Sequence, residues 1–302
     1  MSSPGIPAAV LASLREAGRM AAAARDLGVK RIRAGAVLRE VCEAVEEEIL
    51  RRGGGLAFPV QTSRNHVAAH YCPAPDSHET YAEGDLAKLD VGVHVDGWVV
   101  DTAATVNVGD RPEGRRVVEA AEAALEAAIA ATHAGVEIRR LSARIQDTVL
   151  GYGLQPVRNL CGHGVGRWTV HRPPPIPNVP GDGAGRLPSG SVVAVEPFAT
   201  AGRGWVREEG KAEVFRLDPS AADAEGSDRE VLAAIRSFRG LPFARRQLRA
   251  FPADRVEASL AALARESRLT SYSPLVERTG RPVAQAEHTL YVGPESVEVL
   301  TR

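Results

Sequence analysis

The sequence predicts an α+β domain built on antiparallel strands. Three observations lead there. Two β-rich apolar runs, 86–95 and 98–108, are separated only by Asp96-Gly97. Asp-Gly between such runs is a strong hairpin signal, because both central residues of a type I′ turn need positive φ. Helical segments come in two pairs, one before the hairpin and one after it, and strands return after the second pair and again after a third helical region. Strands, then helices, then strands again favour α+β over a doubly wound parallel sheet.

Composition sets the bounds. Among the 302 residues, 44% are hydrophobic and 25% charged, which permits a sizeable core and argues against disorder. Lys plus Arg is 37 and Asp plus Glu 38, so no global electrostatic footprint for nucleic acid exists and no specific nucleic-acid partner is expected. Three cysteines, Cys42, Cys72 and Cys161, do not make a disulfide scaffold or a zinc-knuckle pattern. No uncharged apolar run reaches the ~18 residues of a membrane span. The start, MSSPGIPAAVL, lacks a basic region followed by an apolar one. A cytoplasmic protein is the expectation.

In chain order, Leu11, Leu14, Ala17, Ala21 and Ala24 recur at spacings of three and four, predicting a helix over 7–28. Leu38, Val41, Val45 and Ile49 predict a second over 37–52, stopped by Gly53-Gly54-Gly55. The hairpin follows, then helices over 114–133 and 138–151. A Gly- and Pro-rich stretch, 161–190, holds GHGVG and HRPPPIPN, and its proline triplet is incompatible with a helix interior or a central strand. A buried-type strand is expected over 192–200. Residues 218–282 read as a charged, mostly helical insertion within a single domain spanning 1–302, and strands are expected again at 283–293 and 297–301.

Four acidic residues interrupt apolar strand-like runs: Asp90 (AKLDVGV), Asp101 (WVVDTAA), Glu196 (VAVEPFA) and Glu287 (AQAEHTL). A carboxylate buried alone is very costly, so each needs a partner. A buried salt bridge or a wet strand face is the ordinary answer. The hairpin register favours another. With Asp96-Gly97 as the turn, Asp101 faces Gly92, and Asp90 lies two residues further along the same face. The two carboxylates become diagonal neighbours roughly 7–8 Å apart at the backbone, able to converge on a cation, with Gly92 leaving space between them. His163 stands among glycines that let the backbone approach a ligand closely. Four carboxylates and one imidazole suit Mn, Fe, Co or Zn better than a thiolate-type site does. About four negative charges match two divalent ions, and two-metal hydrolytic sites activate a water between them.

Taken together, Asp90 and Asp101 eleven apart, GHGVG, VHRPPPIPN, AVEPFA and AQAEHTLYV resemble the methionine aminopeptidases, and most closely the type II branch of archaea and eukaryotes. The similarity runs from about residue 5 to the end. It implies the "pita-bread" fold, a curved antiparallel sheet backed by helices, and metal-dependent removal of N-terminal methionine from nascent proteins by a hydroxide activated at a two-metal site. It implies Asp90, Asp101, His163, Glu196 and Glu287 as metal ligands, with Glu196 also the general base. His70 matches the histidine near the substrate amine and leaving group, and His171 the one at the scissile amide. Phe58 and Tyr272 match positions lining the methionine pocket. The 91-residue interval between Glu196 and Glu287 holds the helical insertion of the type II branch.

The chain departs from the family where Arg172-Pro173 follow His171 in place of Ala-Gly, which puts Arg172 at the mouth of the cleft, able to narrow or charge it. His66, His78, His94, His133 and His288 read as exposed loop residues, His288 facing away from Glu287. Ribosome association and a monomeric state are further expectations. Two other readings compete: an Xaa-Pro aminopeptidase or dipeptidase on the same fold, which usually carries an extra N-terminal domain, and a relative without catalysis that binds RNA or protein.

Overall fold

The computed structural model describes residues 6–181, 185–218 and 226–302. Its elements run α1 (Ala8–Arg31), α2 (Leu38–Arg51), β1 (Gly55–Leu56), β2 (Gln61–Arg64), β3 (Val67–Ala69), β4 (Leu86–Val95), β5 (Trp98–Asn107), α3 (Pro112–Ala131) and α4 (Ile138–Gly151). Then come β6 (Gln155–Pro156), β7 (Cys161–Gly166), β8 (Thr169–Pro177), β9 (Ser191–Val195), β10 (Phe198–Thr200), β11 (Val206–Glu208) and β12 (Val214–Leu217). The chain continues through α5 (Arg229–Ser237), β13 (Phe243–Ala244), a 3-10 turn (Arg245–Leu248) and α6 (Ala253–Arg265). It finishes with β14 (Leu269–Tyr272), β15 (Leu275–Glu277), β16 (Val283–Gln285), β17 (Glu287–Val292) and β18 (Val297–Val299).

Among the described residues, the main sheet has nine strands. Seven run in the order β1-β4-β5-β17-β9-β7-β8, with β2 beside β4 and β18 beside β17, and the pairs are antiparallel. α1 and α2 close one core over β4 and β5 through Leu14, Ala21, Val45, Ile49 and Leu89. α3 and α4 close a second over β9 and β17 through Ala121, Leu125, Leu141, Val193 and Leu290. The two helix pairs repeat one another at an offset of one hundred residues: α2 and α4 begin at 38 and 138, each after an Ala-Gly turn with Gly35 or Gly135 at positive φ. That long-period repeat is not visible in residue identities beyond the shared Ala-Gly. No helix among the described residues is long and apolar enough to cross a membrane.

Several expectations change. α1 runs through Gly28, beyond the end at residue 28 that the periodicity predicts. A Cβ there would meet Leu89 and Val45 within 2.7 Å, so Gly28 is a packing residue inside the helix. The strand expected over 192–200 is two: Glu196-Pro197 interrupts it, since Pro lacks the ladder N–H, and β10 leaves for a small sheet with β16 and β6. Residues 283–293 break likewise at Ala286. The proline triplet lies in β8, the edge strand of the main sheet, where missing N–H groups do no harm.

The segment 218–282 carries α5, the 3-10 turn and α6, and also β13, β14 and β15. Together with β12 these helices enclose a core of their own, including Phe215, Leu232, Phe243 and Leu263. Asp228 caps α5 by accepting from the backbone N–H groups of Glu230 and Val231. Arg246 anchors this unit to the body through an ion pair with the buried Glu46 on α2 and a 3.0 Å bond to the Val60 carbonyl.

Candidate active site

The hairpin forms in the expected register, with Asp101 opposite Gly92 and Asp90 opposite Ala103. Asp96 and Gly97 take φ of 52° and 84°, as the turn requires. Asp90 and Asp101 share one face of the hairpin, and each keeps a buried carboxylate oxygen without a hydrogen-bond partner. Gly92 does not leave open space beside them. The Phe58 ring fills it, and a Cβ on Gly92 would lie 2.2 Å from that ring.

His163 enters from β7. Its Nδ1 donates to the Gly164 carbonyl at 3.2 Å, which turns Nε2 and its lone pair toward the carboxylates. Nε2 stands 3.7 Å from Asp101 Oδ2 and 3.6 Å from Glu196 Oε1. The neighbouring glycines serve the sheet and not a ligand: a Cβ at Gly162 would lie 2.3 Å from the Ala194 carbonyl, and one at Gly164 2.5 Å from that of Pro173.

Glu196 and Glu287 sit at the two strand breaks. Asn178, the last residue of HRPPPIPN, holds the first break: its amide donates to the carbonyls of Leu160 (2.9 Å) and Glu196 (3.4 Å) and accepts from Phe198 N (3.0 Å). Gln285 joins the two breaks, its Nε2 donating to Glu196 Oε2 at 3.3 Å and Glu287 Oε2 at 3.4 Å. The sequence reading assigned nothing to Asn178 or Gln285. Gln285 stands two residues before Glu287, and that spacing was the available signal.

One atom each from Asp101, His163 and Glu287 lie within 4.8 Å of one another, a geometry that can hold a metal ion. Asp90 and Glu196 border the same hollow. Burial raises Asp90 to about 7, against the opposing influence of the neighbouring Asp101 and Gln285 side chains. Burial, then the neighbouring carboxylates, push Asp101, Glu196 and Glu287 well above the usual carboxylate range. Asp90 Oδ1, Asp101 Oδ1 and Glu287 Oε1 are buried without a hydrogen-bond partner. Among the described residues, no lysine or arginine pairs with any of the four; their one basic neighbour is His163. Burial and His171 lower that imidazole to about 3, so it is neutral and cannot compensate them. Orphaned oxygens, mutual repulsion and a neutral nitrogen donor are what a divalent-cation site requires.

The hollow opens into a cavity of about 530 Å³ whose walls include all nine residues singled out from the sequence: Phe58, His70, Asp90, Asp101, His163, His171, Glu196, Tyr272 and Glu287. His70 is held at φ 65°, a sparsely populated region for a non-glycine residue, with Tyr272 edge-on at 5.6 Å. Burial, then His171, lower its pKa to about 4. His171 lies 4.3 Å from His163, ring to ring, and is itself lowered by its surroundings and by Arg216. Val214, Pro242 and Tyr272 bring one wall from beside and within the segment 218–282.

Arg172 is exposed at the edge of the cavity, opposite Gly164 on β8, and its guanidinium lies over Gly166, where a Cβ would be 3.0 Å from Nη1. Two histidines expected in loops are in strands. His94 packs edge-on against Trp168 at 4.7 Å, and His288 turns from the site to Thr301 Oγ1 at 2.9 Å. His66 is exposed in a turn, as expected.

Comparison with known proteins agrees with this geometry. The model of metallopeptidase family M24 matches residues 12–226. The methionine aminopeptidase of Archaeoglobus fulgidus is 39% identical over 290 residues, covering 96% of this chain and 97% of that protein. That of Methanothermobacter thermautotrophicus is 38% identical, covering 97% and 99%. Among solved structures, the methionine aminopeptidase of Thermotoga maritima superposes with a TM-score of 0.74 over the full length of both chains at 24% identity, which speaks for the fold. The prolidase of Pyrococcus horikoshii shares the fold at 17% identity and a TM-score of 0.63, with 98% of this chain covering 62% of that one. The sequence identity thus separates the peptidase groups where the shared fold does not. The chain belongs to metallopeptidase family M24 and, within it, to the methionine aminopeptidases.

Proposed function

We propose that this chain removes the N-terminal methionine of nascent polypeptides, with two divalent ions held by Asp90, Asp101, His163, Glu196 and Glu287. The observation that carries the reading is four carboxylates lining one hollow with the neutral His163, Asp101 and Glu287 buried, Asp90 and Glu196 half-buried, and three of their oxygens unpartnered. About four negative charges call for two divalent ions, and the oxygen-rich set suits Co, Mn, Fe or Zn. When bound, such ions act as Lewis acids toward the scissile carbonyl and lower the pKa of water.

The chain's own groups do the rest. Glu196, its second oxygen bonded by Gln285, serves as general base. His171 is neutral and opens to the cavity, so its N–H can donate to the oxygen of the scissile carbonyl as charge develops there. His70, also neutral, stands ready to carry a proton at the departing amine. Phe58 and Tyr272 supply apolar surface for the methionine side chain, whose flexible thioether adapts to such walls. We further read 218–282 as an inserted subdomain within one catalytic domain, and the protein as a cytoplasmic monomer that works on chains emerging from the ribosome.

The test is cleavage of Met-Ala-Ser and Ala-Pro-Ala peptides by metal-free protein reconstituted with each candidate ion, followed by mass spectrometry. Release of methionine from Met-Ala-Ser alone is expected. Preference for Ala-Pro-Ala would transfer the chain's specificity to the Xaa-Pro group. No cleavage with any ion would leave a binding protein.

A further inference from the structure

Strands β5 and β17 meet in an unusual way at the hollow. Only Glu287 with Ala103 and His288 with Thr102 are paired between them. The same register places Thr289 opposite Asp101 and Gln285 opposite Thr105, but there the backbones have other partners. Beyond His288, β17 turns this edge to β18. The Thr289 carbonyl accepts from Leu300 N at 2.9 Å, and its N–H donates to Thr301 Oγ1 at 3.1 Å. Asp101 is buried, so its own N–H and carbonyl would be stranded.

The Thr289 hydroxyl takes them both. It accepts from Asp101 N at 2.7 Å and donates to Asp101 O at 2.8 Å. The other end of the seam repeats the device with the roles of the strands exchanged. The Thr105 hydroxyl accepts from Gln285 N at 2.8 Å and donates to Gln285 O at 2.7 Å. Between them, Thr102 Oγ1 donates to the Glu287 carbonyl at 2.9 Å. A hydroxyl is both donor and acceptor, so it can replace a reciprocal backbone pair at a place where two strands part. Valine has the same shape and can do neither.

We propose that Thr289 and Thr105 are positioning residues for the metal-ligand set. Each keys the backbone of one ligand-bearing segment to the other, Thr289 by fixing Asp101, Thr105 by fixing Gln285, whose amide spans Glu196 and Glu287. The proposal rests on Asp101 and Glu287 being metal ligands. Groups that orient ligands from behind typically hold roughly 10–100-fold in metal affinity.

The experiment compares Thr289→Val, Thr289→Ser, Thr105→Val and Thr105→Ser in the full chain, with Mn(II) titrated calorimetrically into metal-free protein well below each variant's melting temperature. Both Val variants are expected to bind Mn(II) roughly 10-fold or more weakly, and the Ser variants to regain wild-type affinity. At saturating Mn(II), turnover of Met-Ala-Ser should fall in kcat more than KM changes. If the Val variants melt earlier yet bind Mn(II) as wild type does, the hydroxyls are merely structural and the proposal is overturned. Ser variants as weak as Val would overturn it too. Should Thr289→Val fail to fold, Thr105→Val decides. Asp101→Ala is the separate control: normal Mn(II) binding by that variant would sink the ligand assignment itself, whatever the threonines do.

Discussion

Glu277 and Glu287 lie ten residues apart and are equally buried, each with 1% of its surface exposed. Their surroundings differ in one respect. Glu277 accepts hydrogen bonds from Arg203 N, Thr279 N, Thr279 Oγ1 and Arg281 N, between 2.6 and 3.3 Å. Burial alone would raise its pKa; the bonds from Thr279, Arg203 and Arg281 outweigh it and hold the carboxylate below the usual range. Glu287 receives one long bond from Gln285, leaves Oε1 unpartnered, and is pushed well above that range by burial and by Asp101, Glu196 and Asp90. A satisfied buried carboxylate ties two loops together. An unsatisfied one among its like makes the apo site costly and leaves oxygens free for a cation.

Substitutions can break that contrast, and the largest effect falls on Glu287. Glu287→Ala should reduce Met-Ala-Ser cleavage to background and lower bound metal, read by elemental analysis. Full activity with two bound ions would remove it from the ligand set. Next, His70→Ala should slow turnover by about 10²–10⁴-fold while metal content stays unchanged. Loss of metal in that variant would make His70 a ligand instead.

Glu277→Gln touches only the satisfied site. It turns an amide NH₂ against backbone donors and should cost about 3 kcal/mol in chemical denaturation, with metal content intact. Because the folded pKa of Glu277 is lowered, its contribution to stability is present above the ordinary glutamate range and is lost as the pH falls through the folded value. The variant should therefore lose less stability than wild type below about pH 4. Taken per ion, the smallest effect is expected from chelation. For each ion held at 100 times its Kd, binding adds about 2.7 kcal/mol, so losing one ion should lower Tm by about 5 °C. Equal melting temperatures with and without chelator would contradict a hollow built around uncompensated charge.

The hairpin was the most legible part of the molecule. A two-residue Asp-Gly turn sets register without outside help, so the side-by-side placement of Asp90 and Asp101 followed from local sequence alone. The helix pairs were legible for a similar reason, since their apolar stripes report a buried face. The resemblance to a known family then supplied His70, His171, Phe58 and Tyr272, which no local signal would have gathered. Legibility failed at Glu196-Pro197 and Ala286, where runs of apolar residues concealed breaks. It failed also for Asn178, Gln285, Thr105 and Thr289. These are ordinary polar residues whose roles come from partners as far as 188 positions away.

The order of elements, the hairpin register and the presence of four misplaced carboxylates were set by the sequence itself, through turn geometry, side-chain periodicity and the cost of burying charge. Only the tertiary structure decided that those carboxylates face one hollow. The bonds that bring Asp101, Glu196 and Glu287 together cross between strands far apart in the chain, and such closures depend on how sheets curve and part, which no local pattern encodes.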